Sequence, residues 1–383
     1  MSRIKIMAVF GTRPEAIKMA PLVKELKKYD SIDCTVCVTA QHREMLDQVL
    51  EIFNIEPDYD LNIMKARQTL TEITTKATEG LYGVFTDASP DMVLVHGDTT
   101  TTFAASLAAF YAKVKVGHVE AGLRSFDKYS PYPEEMNRRL TGAIADIHFA
   151  PTASNKENLL KENVSEDNIY VTGNTVIDAL SDTVFPNYSF KDPFLKDFSF
   201  SGKRTVLVTA HRRENIGKPL ENICTALRRL VDDIPDISIV YPVHLNPVVR
   251  ETAGRILKGH ERIHLIEPLN VQDMHNLMYR STLIMTDSGG LQEEAPSLGK
   301  PVLVLRNETE RPEAIKAGTV KLLGTDAETV YKEARLILED TDEYQRMARA
   351  INPYGDGKAS ERICEALLYY FKLSDERPGE FSA

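Results

Sequence analysis

Neither G-x-G-x-x-G nor G-x-x-x-x-G-K-[ST] follows any strand pattern in this chain, which excludes the dinucleotide fingerprint and the P-loop. No apolar run approaches the ~20 residues that span a bilayer, and the N-terminus enters a strand pattern without a cleavage-site signature. The expectation is a cytoplasmic protein with no membrane partner. Cysteine is scarce, at four residues, so no disulfide framework is indicated. Cys34 and Cys37 do form C-x-x-C, but in the alternating run "CTVCVTA" a separation of three puts them on opposite faces, which argues against a shared metal or redox site. Positive charge is also in deficit: 46 Lys and Arg against 56 Asp and Glu give a net charge of −10. That excludes a general nucleic-acid binder and leaves room for a small anion in a local cationic pocket.

What is present is a rhythm. Strand patterns at residues 4 to 10, 34 to 40, 91 to 96, 114 to 119, 147 to 150 and 168 to 172 alternate with amphipathic segments. It fails at "FPNYSFKDPFLKDFSFSGK" and restarts with "TVLVTAH", "ISIVYPVH", "IHLIEP", "LIMTD" and "PVLVL". This is the βαβ alternation of doubly wound parallel sheets, and 383 residues with 43% hydrophobic content can bury two cores. The expected fold is α/β with two Rossmann-like domains: 1–184, an interdomain region 185–203, 204–357, and a C-terminal helix within 358–383 that packs on either domain.

Polar residues collect where the strands end: His96 and Asp98, His118 and Glu120, His211 to Arg213, His244, Glu267, and Asp287 with Ser288. Ligands of open parallel sheets bind outside the carboxyl ends of the strands, so two such domains facing each other would form one polar interdomain cleft. "VFGTRPEAIKMAPL" belongs to the same rim. Gly11 breaks the first strand at a tight turn, Thr12 and Glu15 form a capping box, and Arg13 falls in the first helical turn, where free N–H groups and a guanidinium suit an anion. Pro21 is expected to kink that helix.

"TDSGGLQEEAP" places Gly289 and Gly290 after a strand and opens a helix. Its amides suit a diphosphate, and Glu294, one turn in, suits the hydroxyls of a ribose. "TAHRRENIG" presents His211, Arg212 and Arg213. The first half supplies acids instead: Asp98 in "VHGDTTTT", Glu120 in "GHVEAGLRS", and Glu134 with Glu135 in "YSPYPEEMNRR". A single carboxylate at a helix start is usually a cap; three on one rim point to acid and base chemistry.

"GTRPEAIKMAPL", "TAQHREMLD", "HGDTTT", "VGHVEAGLRS", "PEEMNRR", "GNTVIDAL", "TAHRREN", "DSGGLQEEAPSLGKPVLVLR", "ERPEAI" and "NPYGDGKASERI", in that order, resemble the bacterial non-hydrolysing UDP-N-acetylglucosamine 2-epimerases. The resemblance implies a GT-B-like pair of domains with UDP in the cleft and no cofactor or metal. Arg13, His211, Arg213, Ser288, Gly289, Gly290 and Glu294 would then bind UDP, with Lys18, Asp98, Glu120 and Glu134 on the sugar side. It implies a second UDP-N-acetylglucosamine site with a regulatory role at Gln41, Arg67, Gln68, Arg212 and His244. Glu44, which is Gln in some relatives, adds a negative charge there. A homodimer and a supply of cell-surface polysaccharide precursors are also implied. Three other functions share parts of this motif logic: a GT-B glycosyltransferase, a hydrolysing 2-epimerase, and a UDP-sugar sensor.

Overall fold

The computed structural model describes residues 3–40, 43–65 and 68–383. The chain divides into two compact units, Met1–Asp182 with Tyr354–Ala383, and Thr183–Pro353. No helix among the described residues is long and apolar enough to cross a membrane.

The first unit holds seven parallel strands: β1 Ile4–Phe10, β2 Ile32–Val38, β3 Tyr59–Asp60, β4 Met92–His96, β5 Lys115–Val119, β6 Ile147–Ala150 and β7 Ile169–Val171. Their order is β3-β2-β1-β4-β5-β6-β7. The strands are readable in sequence because helices cover both faces and every β4 residue is buried, which requires unbroken apolar runs. The order reverses direction between β1 and β4, where Ile6 pairs with Met92 and Ala8 with Leu94. The turns after those two strands therefore flank the crevice in which such sheets bind ligands.

Gly11 lies in that crevice, and close approach requires its lack of a side chain. A Cβ there would stand 2.0 Å from Thr39 Oγ1 and 2.5 Å from Thr101 Oγ1, two hydroxyls that bond each other at 2.9 Å. At Gly11 this close packing, beyond the expected turn, is what excludes a side chain. The following helix, Arg13–Leu26, runs through Pro21. The C-terminal helix Ala359–Tyr370 packs against it within this unit, and buried Asp178 caps the newcomer by accepting the N–H groups of Ala359 (3.2 Å) and Ser360 (2.7 Å).

The second unit repeats the plan with β8 Arg204–Thr209, β9 Ile237–Pro242, β10 Ile263–Ile266, β11 Leu283–Thr286, β12 Val302–Val304 and β13 Val320–Leu322, ordered β10-β9-β8-β11-β12-β13. Its reversal falls between β8 and β11, where Val206 pairs with Leu283 and Thr209 with Thr286. Residues 185–203, expected from sequence as an interdomain region, fold onto this unit. Asp273 accepts the Tyr188 hydroxyl (2.8 Å) and the N–H groups of Lys191 (3.0 Å) and Asp192 (2.9 Å). The Arg280 guanidinium covers the rings of Phe190 and Phe200. The short strands β3 and β13, which the sequence did not reveal, bury one residue between them and so carry no apolar run.

Cys34 and Cys37 lie on β2, where burial pushes both thiols up to about 12 and keeps them protonated. His118 on β5 faces His148 on β6 in register. His118 is fully buried, and its Nε2 donates to the Gly97 carbonyl at 2.7 Å, so the ring serves the backbone below the ligand rim. Burial lowers His118 to about 3 and His148 to about 4.

Two predictions follow from these buried groups. Gly11→Ala should cost at least about 1–3 kcal/mol in urea unfolding, because the new methyl overlaps hydroxyls on two other elements. The second concerns acid. Between pH 6.5 and 5 the unfolded chain protonates both imidazoles while the folded chain protonates neither, so stability falls as pH falls. Each contributes a slope of at most about 1.4 kcal/mol per pH unit. Unfolding curves from pH 7 to 5 should flatten in the His118→Gln, His148→Gln double variant; an unchanged slope would contradict this assignment.

Candidate active site

Glu15 organises the first unit's rim. It is 2% exposed, and Oε2 accepts the N–H groups of Gly11 (3.1 Å) and Thr12 (2.8 Å), the carboxylate half of a capping box. Oε1 accepts the hydroxyls of Thr99 (2.6 Å) and Thr102 (3.1 Å). One carboxylate thereby ties the turn after β1 to the turn after β4. Arg13 begins its helix exposed on one side of this tie, and Asp98 immediately precedes Thr99 on the other.

Asp98 is partly exposed and pairs with Arg138 Nη2, while its carbonyl accepts Asn137 Nδ2 at 2.9 Å. Both partners come from the helix Glu134–Ile144. The two glutamates that start this helix differ. Glu135 is fully buried and accepts the N–H groups of Ser125 (3.0 Å) and Phe126 (3.3 Å) along with Arg138 Nη1 (3.3 Å), so it is a structural acid. Glu134 keeps a buried Oε2 with no hydrogen-bond partner.

Glu120 stands just past β5 at φ +60°, a left-handed conformation that costs a non-glycine residue energy and that surrounding contacts must hold. Lys18 Nζ donates to its Oε2, and His96 Nε2 lies 2.8 Å from the same oxygen. Burial opposes ionisation of this carboxyl, yet the Lys18 ammonium and His96 outweigh it and hold Glu120 well below the usual carboxylate range. Three acids on one rim therefore stand in three settings: an ionised one locked between two bases, one paired to an arginine, and one with an oxygen left over.

In the second unit the organiser is Asp287, also fully buried. Its Oδ2 accepts the N–H groups of His211 (2.7 Å) and Arg212 (2.8 Å) and the Asn215 amide (3.0 Å). Oδ1 makes no hydrogen bond and lies 3.5 Å from His211 Nδ1. Tyr241 on β9 donates to the Ala210 carbonyl at 2.6 Å, and the His211 ring stacks on His244 with centroids 5.1 Å apart. Burial pulls His211 below its ordinary range against the opposing field of Asp287, and His244 and Arg212 add to the lowering. Arg213 is exposed beyond this turn.

The helix Gly289–Ser297 opens after Ser288, directly beyond β11. Arg311 covers its first residue: a Cβ on Gly289 would stand 2.9 Å from the guanidinium carbon. Arg311 Nε also donates to the buried Glu293 at 2.6 Å. A Cβ on Gly290 would stand 3.1 Å from Glu294 Oε1, so the second glycine makes room for a carboxylate turned back toward the helix start. Backbone amides, a guanidinium and a carboxylate thus share one helix end, a set that holds an anion with a hydroxyl-bearing neighbour.

Lys18, Asp98, Glu120 and Glu134 gather on the first unit with Arg13, and His211, Arg213, Ser288, Gly289, Gly290 and Glu294 on the second. Of the expected regulatory set, Gln41 and Arg67 lie outside the described residues. Gln68 is engaged with its own loop, accepting the Lys65 N–H (2.7 Å) and donating to the Ile63 carbonyl (2.9 Å). Glu44 is exposed in the helix Arg43–Phe53, and Arg212 and His244 flank the Asp287 turn. Among the described residues no three His, Cys, Asp or Glu side chains gather as metal ligands. Sequence reasoning assigned no role to Arg138 or Arg311, although "PEEMNRR" and "ERPEAI" contain them. Arg138 is four residues after Glu134, a spacing that shares a helix face and was the available signal.

Comparison with known proteins agrees with this architecture. The UDP-N-acetylglucosamine 2-epimerase family profile matches residues 24–368. The UDP-N-acetylglucosamine 2-epimerase of Bacillus subtilis is 61% identical over 382 residues, covering both chains in full. A solved UDP-N-acetylglucosamine 2-epimerase superposes with a TM-score of 0.93 at 60% identity over the whole of both chains. The Neisseria meningitidis UDP-GlcNAc 2-epimerase, solved bound to UDP-GlcNAc, superposes with a TM-score of 0.85 at 52% identity over 95% of this chain and all of its own. With two doubly wound units and matches of this extent, the chain belongs to the UDP-N-acetylglucosamine 2-epimerase family.

Proposed function

We propose that this protein interconverts UDP-N-acetylglucosamine and UDP-N-acetylmannosamine without hydrolysis, by eliminating UDP and adding it back. The observation that carries the reading is the set of three differently partnered carboxylates, Asp98, Glu120 and Glu134, on one rim. A glycosyltransferase or a sensor has no use for such a set around C2.

The sugar's C2 hydrogen is not adjacent to a carbonyl, so no carboxylate removes it from the resting substrate. Breaking the C1–O bond, with its electron pair leaving on the UDP oxygen, develops positive charge at C1 and acidifies C2. A base then takes the C2 proton, and the C1=C2 double bond of a 2-acetamidoglucal forms. Delivery of a proton to the opposite face of C2 and attack of UDP on C1 complete the epimer. In this scheme the second unit holds the nucleotide. The Gly289 and Gly290 amides, Ser288, Arg213 and Arg311, joined by Arg13, stabilise the departing diphosphate, and such fixed donors are worth several kcal/mol where water is excluded. His211, at the Asp287 turn, donates a hydrogen bond to the developing dianion. Asp98 and Glu134 move the protons: Arg138 steers the first, and the unpartnered oxygen of the second is ready to accept one. Glu120, locked ionised by Lys18 and His96, holds sugar hydroxyls.

The reading extends to a homodimer supplying polysaccharide precursors and to activation by UDP-N-acetylglucosamine at a second site built from Gln41, Glu44, Arg67, Gln68, Arg212 and His244. The stacked His211 and His244 rings support that extension, since they set one proposed catalytic group against one proposed regulatory group.

Proton NMR with UDP-N-acetylglucosamine in D₂O tests the reaction. UDP-N-acetylmannosamine should appear, with deuterium entering C2 of both nucleotide sugars. Free N-acetylmannosamine would indicate hydrolysis, and UDP binding without C2 exchange would indicate a glycosyltransferase or sensor. Asp98→Asn and Glu134→Gln should each slow exchange by about 10²–10⁴ while UDP affinity changes little. In the nucleotide site, Gly289→Ala displaces the Arg311 guanidinium. Gly289→Ala, Arg311→Ala and the double variant should therefore weaken UDP binding to a similar extent in calorimetry; additive losses would contradict the coupling.

A further inference from the structure

The helix Val271–Arg280 carries a histidine that the mechanism above does not use. His275 is 3% exposed, and a buried imidazole is favoured where its nitrogens find partners. Nδ1 lies 2.7 Å from the Thr183 hydroxyl, and Nε2 lies 3.3 Å from Glu294 Oε2. We propose that His275, oriented by Thr183, is the positioning residue that fixes Glu294 for the two ribose hydroxyls and so sets the preference for ribonucleotide over deoxyribonucleotide. This rests on the reading of Glu294 as the ribose acceptor.

A carboxylate only accepts hydrogen bonds, so a proton on the nitrogen facing Glu294 is favoured over a lone pair. In the neutral ring that leaves Nδ1 bare, and the Thr183 hydroxyl must donate to it. Thr183 is itself pinned: its carbonyl accepts Asn276 Nδ2 at 2.7 Å, and Asn276 Oδ1 accepts the Phe185 N–H at 2.9 Å. The orientation thus passes from a fixed backbone to the hydroxyl, to one tautomer, to one oxygen of the carboxylate. The other oxygen, Oε1, is turned over Gly290 toward the helix start. Glutamate loses much rotational freedom on binding, and ordering it beforehand removes that cost from recognition. A carboxylate held in one plane can accept both hydroxyls of a cis-diol. A 2′-deoxynucleotide leaves one acceptor position unpaired, which is how a polar site rejects an analogue that lacks a hydroxyl.

Calorimetric titration of UDP and 2′-deoxy-UDP into the full-length protein tests this. Wild type should prefer UDP by at least roughly tenfold, equivalent to about 1.4 kcal/mol. Glu294→Ala should bind both ligands weakly and alike. His275→Leu should lose most of the preference, through weaker UDP binding with little change for 2′-deoxy-UDP. His275→Gln, whose amide can reach the place of Nε2, should restore much of it, which a purely packing role for the ring would not do. Thr183→Val, nearly isosteric, should reduce the preference by a few fold and provides the same test should the leucine variant fail to fold. If the His275 and Thr183 variants keep the wild-type ratio while Glu294→Ala loses it, the proposal is overturned and the ribose reading stands. If wild type shows no preference, the ribose reading itself fails and the proposal with it.

Discussion

A buried carboxylate that accepts hydrogen bonds from two separate turns is the interaction on which the first unit's site depends. Glu15 reaches the backbone after β1 with one oxygen and the hydroxyls after β4 with the other, at the point where the sheet reverses its order. Gly11 permits the approach, since any side chain there would displace the Thr39 and Thr101 hydroxyls. The second unit solves the same problem with Asp287, which gathers the N–H groups of His211 and Arg212 at its own reversal point. A buried carboxylate that accepts several hydrogen bonds from one turn favours the arrangement that keeps them, so each holds its turn in place. A reaction that must hold a leaving group and place acids around one carbon depends on that kind of rigidity.

The rigidity is not uniform in kind. Glu120 sits in a strained backbone conformation between Lys18 and His96, and the pairing that ionises it also holds the strain. Glu134 and Asp287 each retain a carboxylate oxygen that makes no hydrogen bond. Both oxygens belong to residues on the rims where chemistry is proposed.

Much of this was legible in the sequence, for identifiable reasons. The long strands announced themselves because burial on both faces demands continuous apolar runs, and the glycine pair before Glu294 because two glycines after a strand pattern mark a turn into a helix. β3 and β13 were not legible: neither residue of β3 is buried and only one of the three in β13 is, whereas β7 and β12, as short as β13, are buried throughout. The aromatic stretch 185–203 read as irregular because its partners, Asp273 and Arg280, are about ninety residues away in sequence. Shorter separations, 40 residues for Arg138 and Asp98, still hid that pairing and the one of His275 with Glu294: local pattern reveals which residues reach a rim, whereas their pairings are made by the fold. Pro21 was read as lying inside a helical pattern, and its helix does continue through it.

The central claim is that the C1–O bond to UDP breaks and re-forms within a site that retains both fragments. Positional isotope exchange tests it most directly. UDP-N-acetylglucosamine labelled with ¹⁸O at the oxygen bridging C1 and the β-phosphorus should, on incubation with the protein, move label into the non-bridging β-phosphate positions. Scrambling at a rate comparable to epimerisation is the predicted result; epimerisation with the label left in the bridge would contradict the account.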